Sequence, residues 1–263
     1  MNGRAFTLIE VLAVIGIIAI LIGILLPAME KVRHRAYIAD CASNLRQIGA
    51  GISMYCNENH GSYPRTRYVP GAPVAKGTGA SAPDPFNPSG PAPNDVTAAW
   101  YLLLRAPAKL PAVCMLCPYD DVNEFEPDKG DPLKHGNFSS YKKNLGYSFA
   151  NPYPDAAAAK AGYHLTNRIS AQFPVAADLN PGISGKNNDV TAAKPRAPWS
   201  QTKRANSQNH EKDGQNVLFG DGHVDWKDAP LVGIGGDNIY MNKGGAVEAS
   251  PVDKEDAVLL PVD

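Results

Sequence analysis

Much that would mark a catalyst or a nucleic-acid binder is missing from this 263-residue chain. Lys plus Arg number 25 and Asp plus Glu 26, for a net charge of -1, and no run of basic residues forms a patch. A nucleic-acid partner is therefore not expected. Four cysteines are too few for a disulfide-dense secreted scaffold. No Ser/His/Asp order, P-loop or paired-carboxylate pattern stands out, and Gly233-Ile234-Gly235-Gly236-Asp237 lacks the strand and helix that a phosphate loop needs. The chain is thus not expected to be an enzyme. No internal repeat is found, and the 24 glycines and 23 prolines fall mostly after residue 60. That distribution predicts one loop-rich domain with short strands.

What is present is a long apolar run at the start. Phe6 to Leu26 is apolar apart from Thr7 and Glu10. As a helix it spans about 32 Å, enough to cross a bilayer core of about 30 Å. The run is too long for an ordinary signal-peptide core, and Pro27-Ala28-Met29-Glu30-Lys31-Val32-Arg33 continues as helix, so a retained membrane helix is the better reading. Glu10 sits one turn inside, where a charge costs on the order of 3 kcal/mol, so something must compensate for it. Lys31, Arg33 and Arg35 follow the span, and a positive-inside count alone would place the C-terminal domain in the cytoplasm.

Beyond Pro27, expected to kink the helix, Cys41, Leu45, Ile48, Ile52 and Tyr55 recur at three- and four-residue steps. They predict an amphipathic continuation to about residue 58. Residues 69–98 are rich in Pro, Gly, Ala and Ser and read as a flexible insertion. Trp100 to Leu104 reads as a short helix, and 139–141, 146–150 and 173–178 read as strands. Asn216 to Trp226 is the clearest hairpin, with Asp221-Gly222 as a two-residue type I′ turn. That register sets Phe219 against Val224 and Val217 against Trp226, in a hairpin central to the sheet. A Gly-rich tail, 230–263, ends in Ala257 to Pro261, a small apolar group expected to dock on the domain.

The stretch Ala5-Phe6-Thr7-Leu8-Ile9-Glu10-Val11-Leu12 resembles the processing signal of type IV pilins and type II secretion pseudopilins. The resemblance implies a leader of residues 1–5, cleavage between Ala5 and Phe6 by a prepilin peptidase, and methylation of the new Phe6 amine. Ala5 stands where glycine is usual. Glu10 would pair with the Phe6 amine of a neighbouring subunit and set the register between packed helices. The alternative is that Glu10 merely reaches the cytoplasmic headgroups. Pro27 falls where pilins carry a helix-loosening proline. Cys41 to Gly49 together with Asn59-His60-Gly61-Ser62-Tyr63-Pro64 is similar to a pilin-like family abundant in planctomycetes. Its C-terminal signature is His, nine residues, then Asp-Gly. Here His210, Asp221 and Gly222 match with ten residues between, the extra one lying in the loop before the hairpin.

His210 and Asp221 are given a structural role, since turn chemistry already explains Asp221. No cofactor is expected; calcium is the ion that the loop oxygens of Asp178, Asn180, Asp213 and Asp221 would suit, although no EF-hand spacing is present. Cys114-Met115-Leu116-Cys117 alone fits redox chemistry, half a zinc site or a disulfide. Cys41 and Cys56 lie about 22 Å apart on one helix and cannot bond each other. One of them can staple the helix to Cys114 or Cys117; buried thiols are the other leading reading, and distance disfavours zinc held by all four.

The expected architecture is α+β and pilin-like. A long N-terminal helix over 6–58, transmembrane over 6–26 and then amphipathic, packs on a small antiparallel sheet in a soluble domain over 59–229. The expected function is that of a filament subunit of a type II secretion or type IV pilus-like system. The domain would lie outside the cytoplasm and the helix in the inner membrane. Partners would be further pilins, prepilin peptidase, and an assembly ATPase with its platform. The competing reading is a membrane-anchored extracytoplasmic protein that binds a ligand or glycan and does not polymerise.

Overall fold

A computed structural model describes residues 7–105, 110–119, 131–183 and 188–262. The leader, Ala5 and Phe6 lie outside them. One helix, α1 (Leu8–Glu58), runs 51 residues, about 76 Å, with Pro27 inside it. Its first part touches nothing: Leu8, Ile9, Ile20 and Ile24 are 84%, 74%, 65% and 68% exposed. From Cys41 onward one face is buried, through Cys41, Leu45, Ile48, Ile52 and Cys56. That stripe follows the predicted three- and four-residue steps, with Tyr55 at its half-buried margin.

The remaining elements are α2 (Val96–Arg105), α3 (Tyr141–Asn144), β1 (Tyr147–Ala150), α4 (Ala156–Lys160), β2 (Pro174–Asp178), α5 (Trp199–Ala205), β3 (Gln215–Phe219), β4 (Val224–Lys227) and β5 (Leu259–Leu260). The strands form one sheet in the order β4-β3-β2-β1-β5, with every pair antiparallel. The architecture is therefore α+β, a long apolar helix followed by a small antiparallel sheet, as in type IV pilins. Strands β1, β2 and β3 are buried along their whole length, with α1 packed against β2 and β3. Trp100 of α2 stacks on Phe149 of β1 at 4.6 Å within the core.

Four expectations are corrected. The hairpin turn has three residues: Phe219 N–H donates to His223 O at 2.9 Å, Gly222 N–H donates to Phe219 O at 2.9 Å, and Leu218 lies opposite Val224. Gly222 takes φ +90° while Asp221 stays out of the left-handed region. This is the type I turn with a following left-handed glycine, not type I′. The one-residue slip pairs Asn216 with Trp226 and Val217 with Asp225, so the two strands' faces match differently from the predicted register. The hairpin also sits at one end of the sheet, and β2 takes the centre. Residues 139–141 form no strand, as Tyr141 opens α3.

The 69–98 segment is pinned, not loose. Fully buried Asp95 accepts from Thr78 N–H at 2.8 Å, Thr78 Oγ1 at 2.6 Å, Thr97 Oγ1 at 2.6 Å and Asn137 Nδ2 at 3.2 Å. The apolar tail does dock, as the edge strand β5 pairing with β1.

Candidate functional site

Two places among the described residues bear on function. The first is the head of α1. Thr7 is the N-cap, and its side-chain oxygen accepts from Glu10 N–H at 3.3 Å. In return, Glu10 Oε2 accepts from Thr7 N–H at 2.8 Å and from Thr7 Oγ1 at 2.9 Å. This reciprocal capping box satisfies two of the otherwise orphaned groups at a helix start. Both bonds to the carboxylate use the same oxygen. Part of the compensation that Glu10 needs in an apolar setting is thus supplied by its own chain. Thr7-Leu8-Ile9-Glu10 has the Thr-x-x-Glu spacing that signals such a helix start in a sequence.

The second place is interior. Cys41 of α1, Cys117 of the loop after the 3-10 turn Ala112–Met115, Asp178 at the end of β2, and His210 in the 3-10 turn Gln208–His210 converge. One ligand atom from each lies within 4.8 Å of the others, and all four residues are buried. The two sulfurs are 2.6 Å apart, in direct contact. Asp178 Oδ2 accepts from Asn216 N–H at 2.6 Å, and Asn216 Nδ2 donates to Ile38 O at 3.1 Å, tying the sheet to α1. Gly146 lets β1 approach the Cys117 loop, since a Cβ there would stand 2.3 Å from Cys117 N.

Several polar atoms of this cluster are unsatisfied. His210 Nε2 stands 3.3 Å from Asp178 Oδ2, an ion-pair distance, yet neither ring nitrogen has a well-aligned hydrogen bond, and Asp178 Oδ1 has no partner. Each such buried group costs about 1–3 kcal/mol. A hydrogen bond from Cys117 draws the Cys41 thiol down to about 7, against burial and with help from His210. The same bond, with burial and the charge of Asp178, pushes Cys117 up. Burial opposes charging of His210, but Asp178 and Cys41 prevail and lift it to about 9. The interior therefore favours a thiolate at Cys41 beside a protonated imidazole.

Residues 1–26 match the family described as Prokaryotic N-terminal methylation motif. No curated protein matches the chain, and no solved structure does either. The match includes Ala5, Phe6 and Glu10, and supports a motif of the prepilin type at the start of this chain. Together with a helix long and apolar enough to cross a membrane, with mean hydropathy 3.0 over its most apolar window and none of that window buried, it marks a membrane anchor.

The other predicted site residues scatter. His210 is fully buried, whereas Asp221 is on the hairpin turn, about half exposed, and accepts from His223 N–H at 3.0 Å while contacting the His223 ring at 2.5 Å. The signature pair thus serves two separate tasks. The oxygen set proposed for calcium does not assemble. Asn180 Oδ1 accepts from Gly182 N–H at 2.9 Å, and Asp213 pairs at the surface with Lys203 at 2.6 Å. Only Asp178 of that set enters the cluster. Cys114 donates to Gln47 Oε1 at 3.2 Å, and Cys56 is buried near the far end of α1, so neither joins it. Of the helix-to-loop cysteine pairings considered, the fold brings together Cys41 and Cys117.

Proposed function

We propose that the chain is a structural subunit of a pilin-like filament, of the type II secretion or type IV pilus kind, and not an enzyme. The observation that carries this reading is an anchor helix with no intrachain packing whose first turn fits the prepilin methylation motif. Prepilin peptidase would cut between Ala5 and Phe6, leaving Thr7 as the second residue with the capping box intact. Glu10 Oε2 is engaged by Thr7, which leaves Oε1 for the new Phe6 amine of an adjacent subunit. That pairing neutralises the carboxylate within the apolar bundle and sets the axial register. The subunit would wait in the inner membrane with its sheet domain outside the cytoplasm. An assembly ATPase and its platform would then draw it into the filament, where helices pack centrally and domains face outward.

Mass spectrometry of the mature protein tests processing: the expected N-terminus is N-methylated Phe6, and an intact Met1 would sink the proposal. Glu10→Ala is expected to remove the subunit from purified filaments while the sheet domain stays folded. Processing with normal incorporation of Glu10→Ala would refute the pairing. A processed chain that never enters filaments would instead be a membrane-anchored binding protein.

A further inference from the structure

The geometry points to a structural zinc(II) site formed by Cys41, Cys117, Asp178 and His210, fastening α1 to the sheet domain. Two sulfurs, an imidazole and a carboxylate form a mixed set that suits zinc. Calcium and magnesium require oxygen ligands, and copper(I) prefers sulfur alone. Zinc bonds of about 2.0–2.3 Å give a tetrahedron with edges of about 3.3–3.8 Å, and the four ligand atoms already lie within 4.8 Å of one another. Around an ion the longer separations would contract, while the two sulfurs, 2.6 Å apart, would move apart by about 1 Å.

The unsatisfied atoms match the vacant valences. Asp178 has one oxygen held by Asn216 N–H and the other without a partner, the pattern of a carboxylate that binds through one oxygen. Both His210 nitrogens lack an aligned hydrogen bond in a fully enclosed position. Four protein ligands with no exposed member describe a closed, structural centre, not one that keeps a position open for substrate. Binding would release the Cys117 thiol proton and the His210 imidazolium proton to solvent. A surface depression lined by Asp40, Ser43, Asn44, Leu116 and Cys117 gives the ion a route from solvent on the Cys117 side.

The ligands come from four places along the chain, and only Cys41 belongs to the anchor helix. The ion would therefore join the first fully buried residue of α1 to the loop after Ala112–Met115, to β2 and to the turn before β3. This role does not depend on filament assembly.

The test is elemental analysis of the purified full chain in detergent, prepared without chelator, with intact mass and thiol alkylation measured in parallel. About one zinc per chain is expected, with both Cys41 and Cys117 reduced. Replacement by cobalt(II) should produce thiolate-to-metal charge-transfer absorption and tetrahedral ligand-field bands. Asp178→Asn and His210→Gln should weaken zinc binding at least tenfold, and Cys41→Ser should remove the charge-transfer contribution of one sulfur. Cys56→Ser and Cys114→Ser should retain the metal. If Cys41→Ser does not fold, the cobalt spectrum of the unaltered chain still decides. A Cys41–Cys117 disulfide, or reduced cysteines without stoichiometric zinc and without a thiolate band on cobalt, would overturn the proposal.

Discussion

Half-buried Asp237 lies beside fully buried Asp256, and its Oδ2 has no hydrogen-bond partner. Burial, followed by the negative charge of Asp256, pushes Asp237 up to about 7, with Lys243 opposing. Asp256 is better placed to stay ionised, because it accepts from Val252 N–H at 2.8 Å and Lys243 N–H at 3.2 Å. Lys243 itself is drawn off to Asp253, at 2.8 Å. An acid with a folded pKa above its unfolded value of about 3.9 binds its proton more tightly when folded. Its contribution is therefore present below pH 4 and is lost as pH rises from about 4 to about 7. Asp237→Asn should flatten that decline and stabilise the chain at pH 8 by about 1 kcal/mol, discounted for partial exposure. Thermal unfolding at pH 5 and pH 8 checks this; equal slopes in variant and parent would remove the acid pair as the cause. At this scale the sequence was least informative. Cys41 and His210 are separated by most of the chain, and nothing in their local patterns marks them as neighbours. Only β2 and the turn before β3, closing on α1, bring them together. Glu10 was legible because it is a lone carboxylate in an apolar run and its motif is contiguous in the sequence.

Elements were read more reliably than their registers. The lower half of α1 was legible because Cys41, Leu45, Ile48, Ile52 and Cys56 form a continuous stripe at helical spacing. The strands β1, β2 and β3 fell close to their expected places. The hairpin's turn and register were missed together, because Asp-Gly serves both a two-residue I′ loop and a three-residue loop with a left-handed glycine. Long-range contacts decide between them. Leu218 packs against Gly49, with Cδ1 3.0 Å from where a Cβ would stand, and Asn216 bonds to Ile38 O. These contacts aim Leu218 and Asn216 at the helix, and the turn adapts. Strand β5 was invisible as a strand because two leucines show no alternation. The three-residue loop places the demand for positive φ on Gly222 alone. Gly222→Ala should cost roughly 1–2 kcal/mol from the left-handed backbone. Asp221→Ala, losing the bond from His223 N–H at this exposed turn, should lower stability by less than Gly222→Ala does. Chemical denaturation measures both, and a neutral Gly222→Ala would contradict this loop.

For the molecule as a whole, α1 is two objects in one helix, and their border can be located. Before residue 34 the described helix is exposed throughout. At His34 contact begins: its ring lies 5.7 Å from Tyr119 and 6.1 Å from His210, and Tyr37 lies 5.6 Å from Tyr119. Ile38 O then accepts from Asn216, and Cys41 is fully buried. Removing residues 1–33 therefore takes away apolar surface that stabilises nothing within the chain. Such a chain should be soluble without detergent and unfold within a few degrees of the full chain. Removing residues 1–44 is different in kind. It deletes Cys41 and Ala42, takes the Ile38 carbonyl from Asn216, and uncovers Asp178 and His210. Loss of the buried side chains and the orphaning of polar groups should together cost about 3–5 kcal/mol, a large share of the 5–15 kcal/mol that a domain has in total. The shorter chain should be partly unfolded at 25 °C, as seen by near-UV circular dichroism. Equal stability of the two truncations would mean that α1 is dispensable down to Leu45 and that the cluster around Cys41 contributes nothing to holding the helix on the sheet.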